Sequence, residues 1–363
     1  MIPMNPNLDK LRRSPIRVYT NLANATPGCV KLTIGEPDMD TPENIRTAAA
    51  AALAAGMTHY APNQGTFELR RAIADFETAR GNPVTEAQVL VTVGASQALY
   101  TALTGILSPG DEVIIPAPGF VLYESIVLAA GAVPKFLDLS KTDFQIRGEV
   151  LAPLVTEKTR AIILNSPNNP SGAVVSEAQI KELAAILRAA EEKYGHPIYL
   201  ISDEPYRELA YGVEVPWIPE IWNDTIVCYS YSKSLSLPGE RIGYVAVSST
   251  MADRQDIFDA VCGAARGYGY VNAPSLMQRV VEKWHNHDNG RIRIDAGIYA
   301  EYTSNHKLWE GLLGYASEKN LGLQLHLAQT QEEVDSCLDR TGLSPAELLR
   351  VANVLRQYME VLL

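Results

Sequence analysis

The 363-residue sequence predicts an α/β protein. The expected form is a three-layer α/β/α large domain on a mostly parallel sheet, with a small, truncated second domain formed from the chain ends. Two observations predict it. Short β-branched runs alternate with segments of helical period, which is the signature of βαβ units. The runs are nearly continuous in apolar residues, as expected of strands covered on both faces.

The elements follow in order. "QVLVTVG" (88–94) is a β-branched run ending in glycine, and "SQALYTALTGIL" after it has helical spacing and stops at "SPGD". "DEVIIPAPGF" is a second buried strand, and "VLYESIVLAAGA" is a helix with Gly131 near its end. "VPKFLDL", "TRAIILNSP", "PIYLISDE" and "IVCYSYS" continue the strand series. Between two of them lies "SEAQIKELAAILRAAEEKYG", an amphipathic helix with Ser176 as N-cap and Gly195 as its stop. The first forty residues are turn-rich and belong to no regular strand-helix unit. Residues 290–320 read as one long helix, "LGLQLHLAQ" as a short strand, and the remainder as two helices, the second capped by Ser344 with Glu347. The expected division is an N-terminal arm (1–40), a large domain (41–288) and a C-terminal small domain (289–363).

Composition narrows the function classes. Hydrophobic residues make up 47% and charged residues 20%, enough to bury a large core. A net charge of −11 argues against nucleic-acid or anionic-membrane partners, which want clustered Lys and Arg. Four scattered cysteines without a CxxC pair fit a reducing compartment. No apolar run approaches the roughly 20 residues that span a bilayer, and the start "MIPMNPNLDKLRR" has no apolar h-region. The expectation is a soluble, cytoplasmic protein.

In sheets of this kind, sites lie at the carboxyl ends of strands, and there the sequence places its unusual polar residues. "GASQ" (94–97) sits where a strand turns into a helix. Its backbone N–H groups, with Ser96, could hold a phosphate or serve as an ordinary cap. "NSPNNPSG" (165–172) is a rigid bend that would aim Asn169 at the strand ends, or a plain turn. Asp203 follows a very apolar strand, so its carboxylate needs a cationic or hydrogen-bonding partner. A protonated pyridine would serve, as would an arginine elsewhere, and Tyr206 lies three residues on. Lys233, in "YSYSKSLSLPGERIGY", would ordinarily be a solvated surface group. Here it follows a strand end among hydroxyls, and Arg241 comes after a forced bend. A lysine near a cation has a lowered pKa and can form a Schiff base at neutral pH, and Arg241 suits a bidentate grip on phosphate. Together these sites propose one ligand, pyridoxal 5′-phosphate. Lys233 takes its aldehyde, Asp203 its ring nitrogen, Asn169 and Tyr206 its ring hydroxyl. Gly94, Ala95, Ser96, Ser230 and Arg241 take its phosphate.

The motifs "GEPDMDTP", "HYAPNQGTFELRRAIA", "GASQAL", "PAPGFVLY", "NSPNNPSG", "SDEPY" and "SYSKSLSLPGERIGY" run in the order found in a known family. On them the chain resembles the fold-type I pyridoxal-phosphate enzymes, in particular the class I/II aminotransferases of the aspartate aminotransferase family, over roughly residues 15 to 315. The resemblance implies transfer of an amino group between a 2-amino acid and a 2-oxo acid. It implies that Lys233 moves the proton between Cα and C4′, that Phe120 stacks on the pyridine ring, and that Gly35 lies over the substrate. Asn272 and Tyr270 would border the substrate pocket. Tyr60 would cross a homodimer interface to the neighbouring phosphate. A C–S β-lyase or a decarboxylase would share every cofactor residue.

After about residue 320 the family pattern stops. Relatives carry a late arginine, in a short strand, that binds the substrate α-carboxylate. Here Arg350 is the nearest candidate, and it lies in a helical pattern, which reads as a surface or packing arginine. That gap motivates a further alternative, a cofactor-binding protein with impaired catalysis. "LQLHLAQTQEEVDSCLDRTG" resembles a segment of amidohydrolase deaminases, but His326 has no His-x-His partner, so no metal site is expected.

Overall fold

The computed structural model describes residues 15–29, 33, 35–37, 39–284, 296–298 and 323–325. The chain divides into two compact units. The first comprises Met1–Leu209 with Val215–Asn286, and the second Ala210–Glu214 with His287–Leu363.

The first unit opens with helix α1 (Pro15–Ala25), followed by α2 (Glu43–Ala54) and α3 (Phe67–Ala79). Then come β1 (Val89–Thr92), α4 (Gly94–Ile106), β2 (Glu112–Ala117), α5 (Leu122–Ala129), β3 (Val133–Asp138), the one-turn α6 (Gly148–Leu151) and β4 (Thr159–Asn165). The series continues with α7 (Glu177–Tyr194), β5 (Tyr199–Asp203), α8 (Ile218–Ile221), β6 (Thr225–Ser230), α9 (Tyr231–Ser234), β7 (Gly243–Val247), α10 (Arg254–Gly267) and α11 (Ser275–Trp284). The helix α1 corrects the reading of the first forty residues as irregular. Pro15 occupies its first position, where the missing N–H costs nothing, and a proline read as a turn signal is here a helix start.

Seven strands form one sheet in the order β1-β7-β6-β5-β4-β2-β3. The pairs among β2, β3, β4, β5 and β6 are parallel, whereas β7 runs antiparallel to both β6 and β1. Successive strand residues face opposite sides. Ala161, Ile163, Tyr199 and Ile201 join the core under α4, α5 and α10, while Ile162, Leu164 and Leu200 join the core under α7. Burial on both faces explains why these strands read as continuous apolar runs. The capping of α7 is as expected. Ser176 Oγ accepts from the Gln179 N–H, and Gly195 ends the helix at φ 76°, a left-handed conformation that favours glycine.

In the second unit, β8 (Ala296–Ile298) pairs in parallel with β9 (Leu323–Leu325). The strand β9 lies where a strand was expected. The strand β8 corrects the single long helix expected over 290–320. "RIRIDAGI" alternates isoleucines and carries Gly297 in its interior, a pattern of period two with a weak helix former. Arg350, His326, Ser344 and Glu347 lie outside the described residues. Among the described residues no helix is long and apolar enough to cross a membrane.

Leu200 is fully buried in the central strand β5. Leu200→Ala is expected to lower the unfolding free energy by about 2–5 kcal/mol, seen as a lower urea midpoint at unchanged denaturant slope.

Candidate active site

The sheet register gathers the polar residues at one edge. Asn165 at the end of β4 is opposite Asp203 at the end of β5, and Asp203 is opposite Cys228 of β6. Because β7 is antiparallel, its first residue, Gly243, lies at this same edge, opposite both Ser230 and Thr92. Segments distant in sequence therefore end side by side.

Asp203 is buried, and the Tyr123 hydroxyl, from α5, donates to its Oδ2 at 2.5 Å. Its Oδ1 is buried and accepts no hydrogen bond. Burial pushes the Asp203 carboxyl up to about 7, against the lowering effect of the Tyr123 hydrogen bond. Neither an arginine nor a cap explains it, since Asp203 closes a strand and its partner is a phenol. Phe120 stands edge-on to Tyr123, with ring centroids 5.7 Å apart.

Asn165 ties the neighbouring bend in place. Its Nδ2 donates to the Asp203 carbonyl at 2.8 Å, and its Oδ1 accepts from the Asn169 N–H at 2.6 Å. The Asn169 Nδ2 in turn donates to the Tyr206 hydroxyl at 3.2 Å. Burial raises the Tyr206 pKa, so the phenol stays protonated near neutrality.

At the β1–α4 junction the backbone is drawn tight. Gly94 has φ 72°, and a Cβ there would lie 2.5 Å from Arg241 Nη2. A Cβ on Gly243 would lie 2.2 Å from the Tyr229 carbonyl and 3.2 Å from the Ala95 nitrogen, both backbone atoms that cannot move aside. The Arg241 Nη2 donates to Ser96 Oγ at 3.4 Å, and Nη1 donates to the Pro238 carbonyl. Arg241 holds a left-handed φ of 51°, uncommon for a non-glycine residue. A guanidinium thus lies over the N-terminus of a 13-residue helix, where free N–H groups and the helix dipole also favour an anion.

Lys233 projects from the one-turn α9 that follows β6. Its Nζ donates to the Gly35 carbonyl. Partial burial lowers its pKa, Arg241 lowers it further, and Glu36 opposes both. Two of the hydroxyls around it bond to each other. Ser230 caps α9 by accepting from the Ser232 N–H, and donates to Ser232 Oγ at 2.8 Å.

Comparison with known proteins places this arrangement. The sequence profile of the family described as "Aminotransferase class I and II" matches residues 27–306. The chain belongs to the class I and II aminotransferase family. It is 36% identical over 252 residues to a probable N-acetyl-LL-diaminopimelate aminotransferase of Bacillus subtilis, covering 69% of this chain and 63% of that protein. It is 35% identical over 269 residues to an aspartate aminotransferase of Pyrococcus abyssi, covering 71% of this chain and 68% of that one. The chain therefore spans about two thirds of the length of these relatives. Among solved structures it resembles an aminotransferase from Eubacterium rectale, with TM-score 0.72, 37% identity, and coverage of 79% of this chain and 75% of that one. It resembles the aspartate aminotransferase of Thermus thermophilus equally, at TM-score 0.72 and 31% identity, over 80% of this chain and 74% of that one.

Class I and II aminotransferases use pyridoxal 5′-phosphate, and the residues present fit that group. The unpartnered Asp203 Oδ1 suits a protonated ring nitrogen. The Arg241 guanidinium over the α4 N-terminus suits the phosphate, and the Asn169–Tyr206 pair suits a ring hydroxyl. Tyr123 and Asn165 were not singled out from the sequence. Tyr123 had a usable signal, since it follows Phe120 by one helical turn inside a quoted motif. Asn165 opens the quoted "NSPNNPSG". Tyr60 does not join the cluster around Lys233. It is 89% exposed and lines an open cleft of about 560 Å³ with His59, Val93, Tyr270 and Asn272.

The Asp203 carboxyl gives a pH test on the protein free of cofactor. Its folded pKa is raised, so the folded state holds a proton that the unfolded state releases. The stability it contributes is fully present below the unfolded value of about 4 and is lost as pH rises toward 7. Relative to wild type, Asp203→Asn is expected to remove that decline between about pH 4 and 7 in urea-unfolding titrations.

Proposed function

We propose that the protein is a pyridoxal-phosphate-dependent aminotransferase that moves an amino group between a 2-amino acid and a 2-oxo acid. The observation that carries this reading is the buried Asp203 carboxyl, one oxygen held by Tyr123 and the other without a partner, at the same sheet edge as Lys233 and Arg241. When bound, the cofactor supplies an electron sink for the charge left at the substrate Cα.

The chain's own residues supply position and proton transfer. The α4 N-terminus, Ser96 and Arg241 would bind the phosphate, with Ser230 beside them. Asp203 would keep the ring nitrogen protonated, since a buried carboxylate gains most from a cation at its free oxygen. Tyr206 and Asn169 would orient the ring hydroxyl, and Phe120 would stack on the ring. Lys233 would anchor the aldehyde carbon through Nζ and, once displaced by substrate, take the proton from the substrate Cα and deliver it to the former aldehyde carbon C4′. Its lowered pKa keeps a larger share of it as free amine near neutrality than an exposed lysine has. Gly35, whose carbonyl already accepts from Lys233, would border the substrate.

The reading includes a homodimer, in which the exposed Tyr60 would reach the neighbouring subunit's phosphate site. Light scattering at micromolar concentration should give twice the chain mass. A monomer would remove the role given to Tyr60.

The chemical test is trapping. Incubation with pyridoxal phosphate and borohydride should fix the label on Lys233, and Lys233→Ala should abolish it. Amino acids with a 2-oxo acid acceptor should then yield new 2-oxo acid in wild type, with a loss of at least about 100-fold in Lys233→Ala. Trapping at another lysine, or none, would overturn the proposal.

A further inference from the structure

Beneath the Lys233 turn lies a buried ionic cluster that the proposed chemistry does not use. Arg207 is 4% exposed and forms ion pairs with Glu77 at 3.2 Å and Glu204 at 2.5 Å. Its guanidinium also sits 5.0 Å from the centre of the Tyr229 ring. Tyr244 donates to Glu77 at 2.5 Å. Two carboxylates, Glu77 and Glu204, thus pair with one guanidinium beside Asp203, and the field of a third, Glu208, also reaches it. Burying charges in this way costs desolvation that their attraction barely offsets, so the cluster is a poor source of net stability. Its close packing is better read as a frame.

What the frame holds is the lysine-bearing turn. Tyr229 is 2% exposed and immediately precedes the cap residue Ser230. Its ring packs against Tyr244, stacked at 5.0 Å, and Tyr231, edge-on at 5.3 Å, and those two rings also touch, 5.9 Å apart. Its hydroxyl donates to Glu208 Oε2 at 2.8 Å and lies 2.9 Å from Ser234 Oγ, a second hydrogen bond. Ser234 is the residue after Lys233. The α9 helix is a single turn and cannot hold its own shape through internal hydrogen bonds. One end is fixed by the Ser230 cap, and the other by the Tyr229 hydroxyl.

We propose that Tyr229 is a positioning residue for Lys233. Its hydroxyl, itself fixed by Glu208, pins Ser234 and so sets the direction in which Lys233 Nζ leaves the turn. This rests on the aminotransferase reading, because it assigns Lys233 the aldehyde. The variant Tyr229→Phe keeps the ring stack and removes only the hydroxyl. Ser234→Ala removes the other half of the bond and carries the same test should Tyr229→Phe fail to fold.

One rate and one affinity are compared in wild type, both single variants and the double. The first is borohydride-fixed labelling of Lys233 by pyridoxal phosphate. The second is affinity for pyridoxamine 5′-phosphate, which uses the phosphate and ring contacts but forms no bond to lysine. Labelling of each single variant should slow about three- to tenfold, the scale of one lost hydrogen bond, with pyridoxamine phosphate affinity within about twofold of wild type. The double variant should be no slower than the slower single, because both remove the same bond. Labelling of Tyr229→Phe at the wild-type rate would overturn the proposal. So would a parallel fall in labelling and in pyridoxamine phosphate affinity, which marks general loosening. Absence of Lys233 labelling in the wild type would instead overturn the proposed function.

Discussion

The Asp203 carboxyl, buried at the end of an apolar strand with one oxygen left without a partner, is the constraint around which the site is arranged. A carboxylate removed from water must be neutralised, paired or hydrogen-bonded. Tyr123 meets half of that need and raises no charge of its own, since burial also pushes its phenol pKa well up. The remaining oxygen, in a low-dielectric surrounding, favours a cation strongly. Asn165 then makes the position rigid, bridging the Asp203 carbonyl to the bend that carries Asn169.

The reversed strand β7 is the second arrangement on which the site depends. A parallel strand in its place would enter from the opposite edge of the sheet. Running antiparallel, it starts at the edge where β1 and β6 end, and brings Arg241 over the first turn of α4. Close approach follows, and Gly94 and Gly243 are glycines because any side chain there would meet the guanidinium or the Tyr229 backbone. The strained backbone of Arg241 is held by the same packing.

Much of this was legible in the chain. Strand and helix alternation, the Ser176 and Gly195 caps, and the strand ends carrying Asp203, Asn169, Ser96 and Lys233 follow from period and turn chemistry, which are local. Other features were not. Pro15 reads locally as a breaker and starts a helix. Gly297 and Ile298 read as part of a long helix and belong to a strand. "GYVAV" directly follows the lysine motif and is the strand that closes the site.

By itself the sequence determined the α/β class, the sites of its strands, and which polar residues stand at their ends, because each depends on neighbours a few positions away. Only the tertiary structure decided which of those residues meet. Tyr123 reaches Asp203 across 80 residues, and Lys233 reaches Gly35 across 198. Such pairings depend on strand order and direction, and on which buried polar atoms would otherwise lack a partner. No local pattern encodes that accounting, which is why the contacts made by Tyr123, Asn165, Arg207 and Tyr229 emerged only from the fold.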